Sequence, residues 1–114
     1  MNTMEYKGYT AVIEYDDSID GFHGEVIDIK DVISFEGRNP DELRDGFKTA
    51  VDAYLAFCEE EGESPDKPFP GKFNLRLSPA LYRDAAVAAK REGKSLNAWI
   101  VEQIAKTVQK SKAA

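Results

Sequence analysis

The sequence has very few cysteines and histidines and no long apolar run. Of its 114 residues, only Cys58 is a cysteine and only His23 is a histidine. A single cysteine excludes an intramolecular disulfide and a zinc site built from several cysteines. No apolar run approaches the roughly 18 residues of a membrane span, and the start, MNTMEYKGYT, lacks the apolar core of a signal peptide. We therefore expect a cytoplasmic protein with no membrane partner.

Positive charge is scarce in the first part of the chain. Residues 1–70 hold 6 Lys and Arg against 18 Asp and Glu, a net charge of −12 in a chain whose total is −6. The remaining residues carry 9 cations and 3 acids, a net charge of +6. Such an asymmetry suggests that the two parts of the chain have different partners.

The two charge regions meet at EEEGESPDKPFPG, residues 59–71. Its three prolines fix φ and disfavour helix in the residues before them, so a preceding helix must end here. This stretch is typical of a short, fairly stiff linker. The sequence therefore predicts two domains, residues 1–66 and residues 67–114.

The acidic part predicts an antiparallel β-meander of three strands followed by a helix. The strands are YTAVIEY, FHGEVIDI and VISFEG, which are rich in aromatic and β-branched residues and separated by turns. In NPDEL, Asn39 can cap a helix, Pro40 suits its first position and Glu42 completes a capping box. The apolar stripe that follows would lie across one face of the sheet: Leu43, Phe47, Ala50, Val51, Tyr54 and Cys58.

The basic part predicts one strand and two helices. In KFNLRL, apolar and polar residues alternate, so Phe73, Leu75 and Leu77 share one face. Ser78-Pro79 begins the first helix, Gly93 ends it, and Ser95 can cap the second. The apolar residues of the two helices are Leu81, Ala85, Ala88, Ala89, Leu96, Trp99, Ile100, Ile104 and Val108. So small a unit with one strand cannot bury Trp99 alone, and we expect a second copy to complete its core.

Two copies of KFNLRL paired antiparallel would place two sets of Lys72, Asn74 and Arg76 on the outer face of a two-stranded ribbon. Such a ribbon fits the major groove of B-DNA, where Lys and Arg can donate to guanine and Asn can pair with adenine. Lys94 and Ser95, at the start of the last helix, are suited to hold a phosphate. A subunit that leaves the segment unpaired, with its apolar residues in solvent, would contradict this interpretation.

The segment GKFNLRLSPALYRDAAVAAKREGKSLNAWIVEQI resembles the ribbon-helix-helix domain of Arc/MetJ-type repressors. With the acidic meander and helix before it, the chain over residues 5–107 is similar to HicB antitoxins. The resemblance implies an α+β protein: an N-terminal antiparallel meander plus helix of partial RNase-H-like form, then a C-terminal ribbon-helix-helix (β-α-α) dimerisation domain. The chain departs from the family in one place: IDIKDVISF stands where many members carry a proline-glycine-cysteine element after the second strand. The resemblance therefore does not assign the residues that would contact the toxin.

The resemblance further implies an antitoxin that blocks a small basic HicA-like toxin, an mRNA-cleaving protein. It also implies repression of its own operon through operator DNA, with Lys72, Asn74 and Arg76 reading bases and Ser95 contacting a phosphate. The C-terminal domain would form a homodimer, and further contact through the N-terminal part could give a tetramer.

Two other functions are weighed against the antitoxin. One is a free-standing ribbon-helix-helix regulator whose N-terminal domain senses a ligand or oligomerises. The other is an RNase-H-like nuclease, suggested by an acidic cluster made of Asp16, Asp17, Asp20, Glu25 and Asp28. Three of these aspartates crowd into one hairpin turn, whereas metal-assisted hydrolysis needs carboxylates that converge from separate elements. A lone histidine without a nucleophile pattern is typical of a structural role. We therefore expect a non-enzymatic protein with no catalytic residue, cofactor or metal.

Overall fold

A computed structural model describes residues 2–113, and the side chains of residues 2–112, as an α+β protein. The elements are β1 (Asn2–Tyr6), β2 (Tyr9–Asp16), β3 (Gly21–Val26), β4 (Ser34–Gly37), α1 (Pro40–Glu60), α2 (Pro79–Arg91) and α3 (Leu96–Ala113). The chain separates into two compact units, Met1–Lys72 and Phe73–Ala114. This division falls six residues after the predicted domain boundary at 66/67. Among residues 2–113, no helix is both long and apolar enough to cross a membrane.

The first unit contains a four-stranded antiparallel sheet in the order β1-β2-β3-β4. The sequence predicted three strands, and β1 was missed. It pairs with β2 from Asn2 opposite Ile13 to Tyr6 opposite Tyr9. The turn that joins these strands consists of Lys7 and Gly8, both at positive φ (50° and 84°). Two central residues at positive φ are typical of a two-residue β-hairpin turn. The sequence Tyr-Lys-Gly-Tyr, with a glycine in the second turn position, could therefore have predicted this hairpin.

Helix α1 covers one face of this sheet. Its predicted start is confirmed, because the Asn39 side chain accepts a hydrogen bond from the Glu42 N–H at 2.9 Å. The Glu42 carboxylate accepts in turn from the Arg38 N–H at 2.8 Å, one residue before the cap. The rings of Phe35 and Phe47 stack across the interface with centroids 5.0 Å apart. The core consists of Tyr9, Ala11, Ile13, Val26, Ile33, Phe35, Leu43, Phe47, Val51, Tyr54 and Cys58.

The second unit contains α2 and α3, and local sequence rules explain where each begins. The Ser78 hydroxyl accepts from the Leu81 N–H at 3.2 Å, and the Ser95 hydroxyl accepts from the Ala98 N–H at 3.1 Å. Gly93 follows α2 at a φ of 69°, a left-handed conformation that favours glycine at a helix end. All three predicted helix-boundary positions are confirmed.

Candidate functional site

The second unit buries almost none of its apolar side chains. Among its described residues only Ala85 and Ala89 are buried. Its exposed large apolar side chains are Phe73, Leu75, Leu81, Tyr82, Val87, Val101, Ile104 and Val108. A helical pair whose core is two alanine side chains gains too little from burial to offset the entropy of folding. The single chain therefore lacks the core that this unit needs.

The segment predicted to form the ribbon is not a strand in the single chain. Residues 72–77 carry no β-structure, and Phe73 and Leu75 are 83% and 50% exposed. An unpaired segment with its apolar residues in solvent is the outcome that contradicts the ribbon interpretation, and the chain taken alone shows it: the predicted strand is absent. The physical reason is that a strand exists only through hydrogen bonds to a partner strand, and the second copy expected from the sequence is a separate chain. Pairing between two copies stays a prediction.

The five predicted DNA-binding residues differ in how free their side chains are. Lys72, Asn74 and Arg76 are exposed. Ser95 is also exposed, and its hydroxyl caps α3. Lys94 is half-buried and forms ion pairs with Glu102 and, at 3.7 Å, with Glu92. Because these two carboxylates already neutralise its ammonium group, Lys94 should attract a phosphate less strongly than the sequence alone suggested.

Glu102 is the centre of this charged group. Its carboxylate accepts from Lys106 at 2.9 Å and from Lys94, and these two hydrogen bonds lower its pKa from 4.5 to about 2. The same contact with Glu102 raises the pKa of Lys94. A depressed carboxyl pKa contributes stability above the unfolded value, and that contribution is lost as the pH falls through the folded value.

We expect the stability that Glu102 contributes to disappear between about pH 4.5 and about pH 2. The measurement is the NMR titration of the Glu102 side-chain carboxyl carbon. Lys106→Gln should move its midpoint upward, because Lys106 is the strongest cause of the shift. Arg83→Gln, which changes an exposed cation on α2, is the matched control and should leave the midpoint in place. A midpoint near 4.5 in the unchanged protein would contradict the ion-pair geometry.

The predicted linker is held against the first unit instead of spanning freely between domains. The Tyr54 hydroxyl accepts from the Asp66 N–H, and the Tyr9 hydroxyl donates to the Asp66 carbonyl, both at 2.9 Å. Burial raises the pKa of both tyrosines, so each hydroxyl stays protonated. Farther along, the Asp28 carboxylate accepts from the Phe69 N–H at 2.7 Å. These contacts explain why the first unit extends to Lys72.

Two of the aspartates weighed for a metal-dependent nuclease, Asp16 and Asp20, make contacts within their own hairpin. The Asp16 carboxylate accepts from the N–H of Ser18 at 3.0 Å and from its hydroxyl at 2.6 Å. The Tyr15 hydroxyl donates to Asp20 at 3.2 Å. In the part of the chain that the structure describes, no three His, Cys, Asp or Glu side chains group as a metal site would require.

The comparison with protein families gives one result, and it spans both units. The family model described as HicB family matches residues 54–104. The match runs from the last turns of α1 through the held linker and α2 into α3. The matched stretch is 51 of the 114 residues, and over it the chain is similar to the HicB family. No curated protein and no solved structure matches the chain.

Proposed function

We propose that this protein is the antitoxin of a HicA/HicB-type system. Its N-terminal part, ending near residue 66, binds and blocks a small basic mRNA-cleaving toxin. Its C-terminal part, from residue 67, dimerises as a ribbon-helix-helix domain and represses the operon that encodes both proteins. The observation that carries this proposal is the HicB family match over residues 54–104.

The charge of the N-terminal part supports toxin binding. A net charge of −12 over residues 1–70 would attract a basic RNA-binding surface and accelerate association with it. Once bound, such an acidic cover excludes RNA both by volume and by repulsion of its phosphates. The antiparallel sheet with one helix across it is compatible with a partial RNase-H-like fold that has a binding role instead of a catalytic one.

The apolar surface of the second unit supports dimerisation. Two copies of residues 72–77 paired antiparallel would satisfy each other's backbone groups and bury Phe73 and Leu75 on α2 and α3. The same pairing turns Lys72, Asn74 and Arg76 outward to a major groove, with Ser95 beside the phosphates. If two dimers also associate through their N-terminal units, the resulting tetramer has two ribbons, which could bind adjacent half-sites of the operator.

Co-expression with the product of a small, basic open reading frame, if one lies beside the coding sequence, tests the antitoxin function. We expect the two proteins to co-purify, and growth arrest caused by the neighbouring product alone to be relieved when this protein is present. A matched control expresses the same pair with a stop codon early in this protein's gene. Separate elution together with continued arrest would contradict the proposal, and metal-dependent RNA cleavage by the purified protein would favour the nuclease instead.

A further inference from the structure

The face of the sheet opposite α1 has no helix of its own unit across it. Side chains alternate along each strand, so the residues between the core positions point to this side. They include four glutamates, one from each strand, and all four are exposed: Glu5, Glu14, Glu25 and Glu36. No lysine or arginine occurs in any of the four strands. We name these glutamates and the residues between them the open face.

The strand register arranges the open face in rows that cross the sheet. His23 lies directly opposite Glu14 on β2 and Glu36 on β4, so a histidine stands between two carboxylates. In the next row Glu25 lies opposite Val12 and Ser34. Directly opposed side chains in antiparallel strands have Cβ atoms about 5 Å apart. The acidic groups are therefore spread over all four strands and are not gathered at a single point.

Apolar side chains lie between these charges. Val12 and Ile27 line a shallow hollow together with Glu14, His23 and Glu25. Ile27 is 38% exposed, and its N–H donates to the Thr10 carbonyl at 3.0 Å, which continues the β2 pairing beyond the end of β3. An apolar centre with charged groups around it is the usual anatomy of a protein-binding surface.

We infer that the open face is the surface on which the basic toxin docks. This inference rests on the proposed antitoxin function and assigns that function to a particular side of the sheet. A second copy of the same face would oppose four glutamates to four glutamates, and a nucleic acid backbone would be repelled in the same way. A cationic protein surface is the occupant whose charge complements the face.

The outer side of α1 is the competing surface in this unit, and its charge is mixed. Arg44 and Lys48 lie there among acidic residues, and Arg44 is already paired with Asp41 at 3.0 Å. A basic partner would meet repulsion as well as attraction on that side. The charged strand residues of the open face are all acidic. Such a surface speeds the encounter with a basic partner and fixes the orientation in which that partner binds.

Charge reversal at two positions tests the open face in the full-length chain. Glu14→Lys combined with Glu25→Lys should weaken the complex with the neighbour-encoded basic protein by at least about a hundredfold. The control combines Asp45→Lys with Glu59→Lys on the exposed side of α1, and it should change the affinity by no more than a few fold. Both pairs change the net charge equally, so a difference between them reports the position of the charges and not their sum. All four residues are exposed, and thermal unfolding checks that each variant folds.

Thiol labelling gives a second measurement that does not depend on charge reversal. Cys58 is buried, so a maleimide should react with an introduced cysteine in preference to it. The partner should protect Glu25→Cys from labelling and leave Asp45→Cys reactive. If the unchanged protein binds and the open-face variants bind equally well, the location is wrong while the antitoxin function stands. If the unchanged protein does not bind, the antitoxin function fails and the open-face assignment fails with it.

Discussion

Replacing Leu75 with aspartate should halve the mass of the assembly. In the proposed dimer Leu75 is covered by the paired strand and by the two helices, although it is 50% exposed in the single chain. Burying a leucine side chain contributes about 1.5 to 3 kcal/mol, and a carboxylate in its place adds a desolvation cost. Because the change occurs twice in each dimer, we expect the dissociation constant to rise at least about a thousandfold. Sedimentation equilibrium measures the change in mass directly.

Asn74→Asp is the matched control for this experiment. It introduces the same charge one residue away, on the side of the segment that faces outward in a ribbon. The assembly mass should therefore stay as it is in the unchanged protein. If Leu75→Asp leaves both the mass and the thermal unfolding unchanged, the segment is not an interface, and the ribbon-helix-helix proposal fails with it.

The predictable parts of the fold are those that short-range chemistry decides. Asn39, Ser78 and Ser95 each cap a helix as expected, because a side-chain oxygen satisfies an N–H only two or three residues away. Strand β1 is harder, because Asn2–Tyr6 is short, mostly exposed and without a clear apolar alternation. Its existence depends on pairing with β2, which local propensity does not encode.

Long-range contacts are where sequence reasoning on the site was incomplete. Helix α1 ends at Glu60, inside the stretch where the sequence predicted its end, and Gly62 follows at a φ of 68°. Nothing local indicated that Tyr9, 57 residues away, would hold Asp66. Counting Lys94 as a free cation overlooked Glu102, which meets it only after the chain turns from α2 into α3. The sequence did contain evidence for the open face, because none of the four strands includes a lysine or an arginine. The total charge of the acidic part concealed it, because the total does not distinguish the two sides of a sheet.

The two helices of the second unit show how far a pattern can specify an assembly. Their apolar residues recur at helical spacing, as for a buried face, yet Ile104 and Val108 are 53% and 46% exposed. The indole N–H of Trp99 donates to the Glu92 carboxylate. Periodicity identifies which side of a helix must be covered, but it does not identify the molecule that covers it. The sequence therefore predicts that a partner must cover these helices, and the second copy expected to do so stays a prediction.

Arg76→Ala should remove sequence-specific DNA binding while leaving the dimer intact. In the proposed ribbon each of the two strands contributes one Arg76, whose guanidinium reaches a base edge. One good bidentate contact is worth about 1 to 3 kcal/mol of discrimination against the wrong base. We expect the affinity for the DNA that precedes the coding sequence to fall about a hundredfold or more, as measured by gel shift. Arg83→Ala, an exposed arginine on α2 beside Asp84, is the matched control and should bind as the unchanged protein does. Unchanged affinity in Arg76→Ala would remove this residue from the site.

Salt dependence separates the base contacts from the phosphate contacts. Binding that neutralises several phosphates should weaken by orders of magnitude between dilute and moderately salty buffer, and a flat response would argue against docking in a groove. Ser95→Ala should weaken binding to all sequences alike, since a phosphate contact carries no base information. Lys94→Ala should have a smaller effect than Arg76→Ala, because Glu102 already holds the Lys94 ammonium group. Equal losses from Lys94→Ala and Arg76→Ala would show that DNA draws Lys94 away from Glu102.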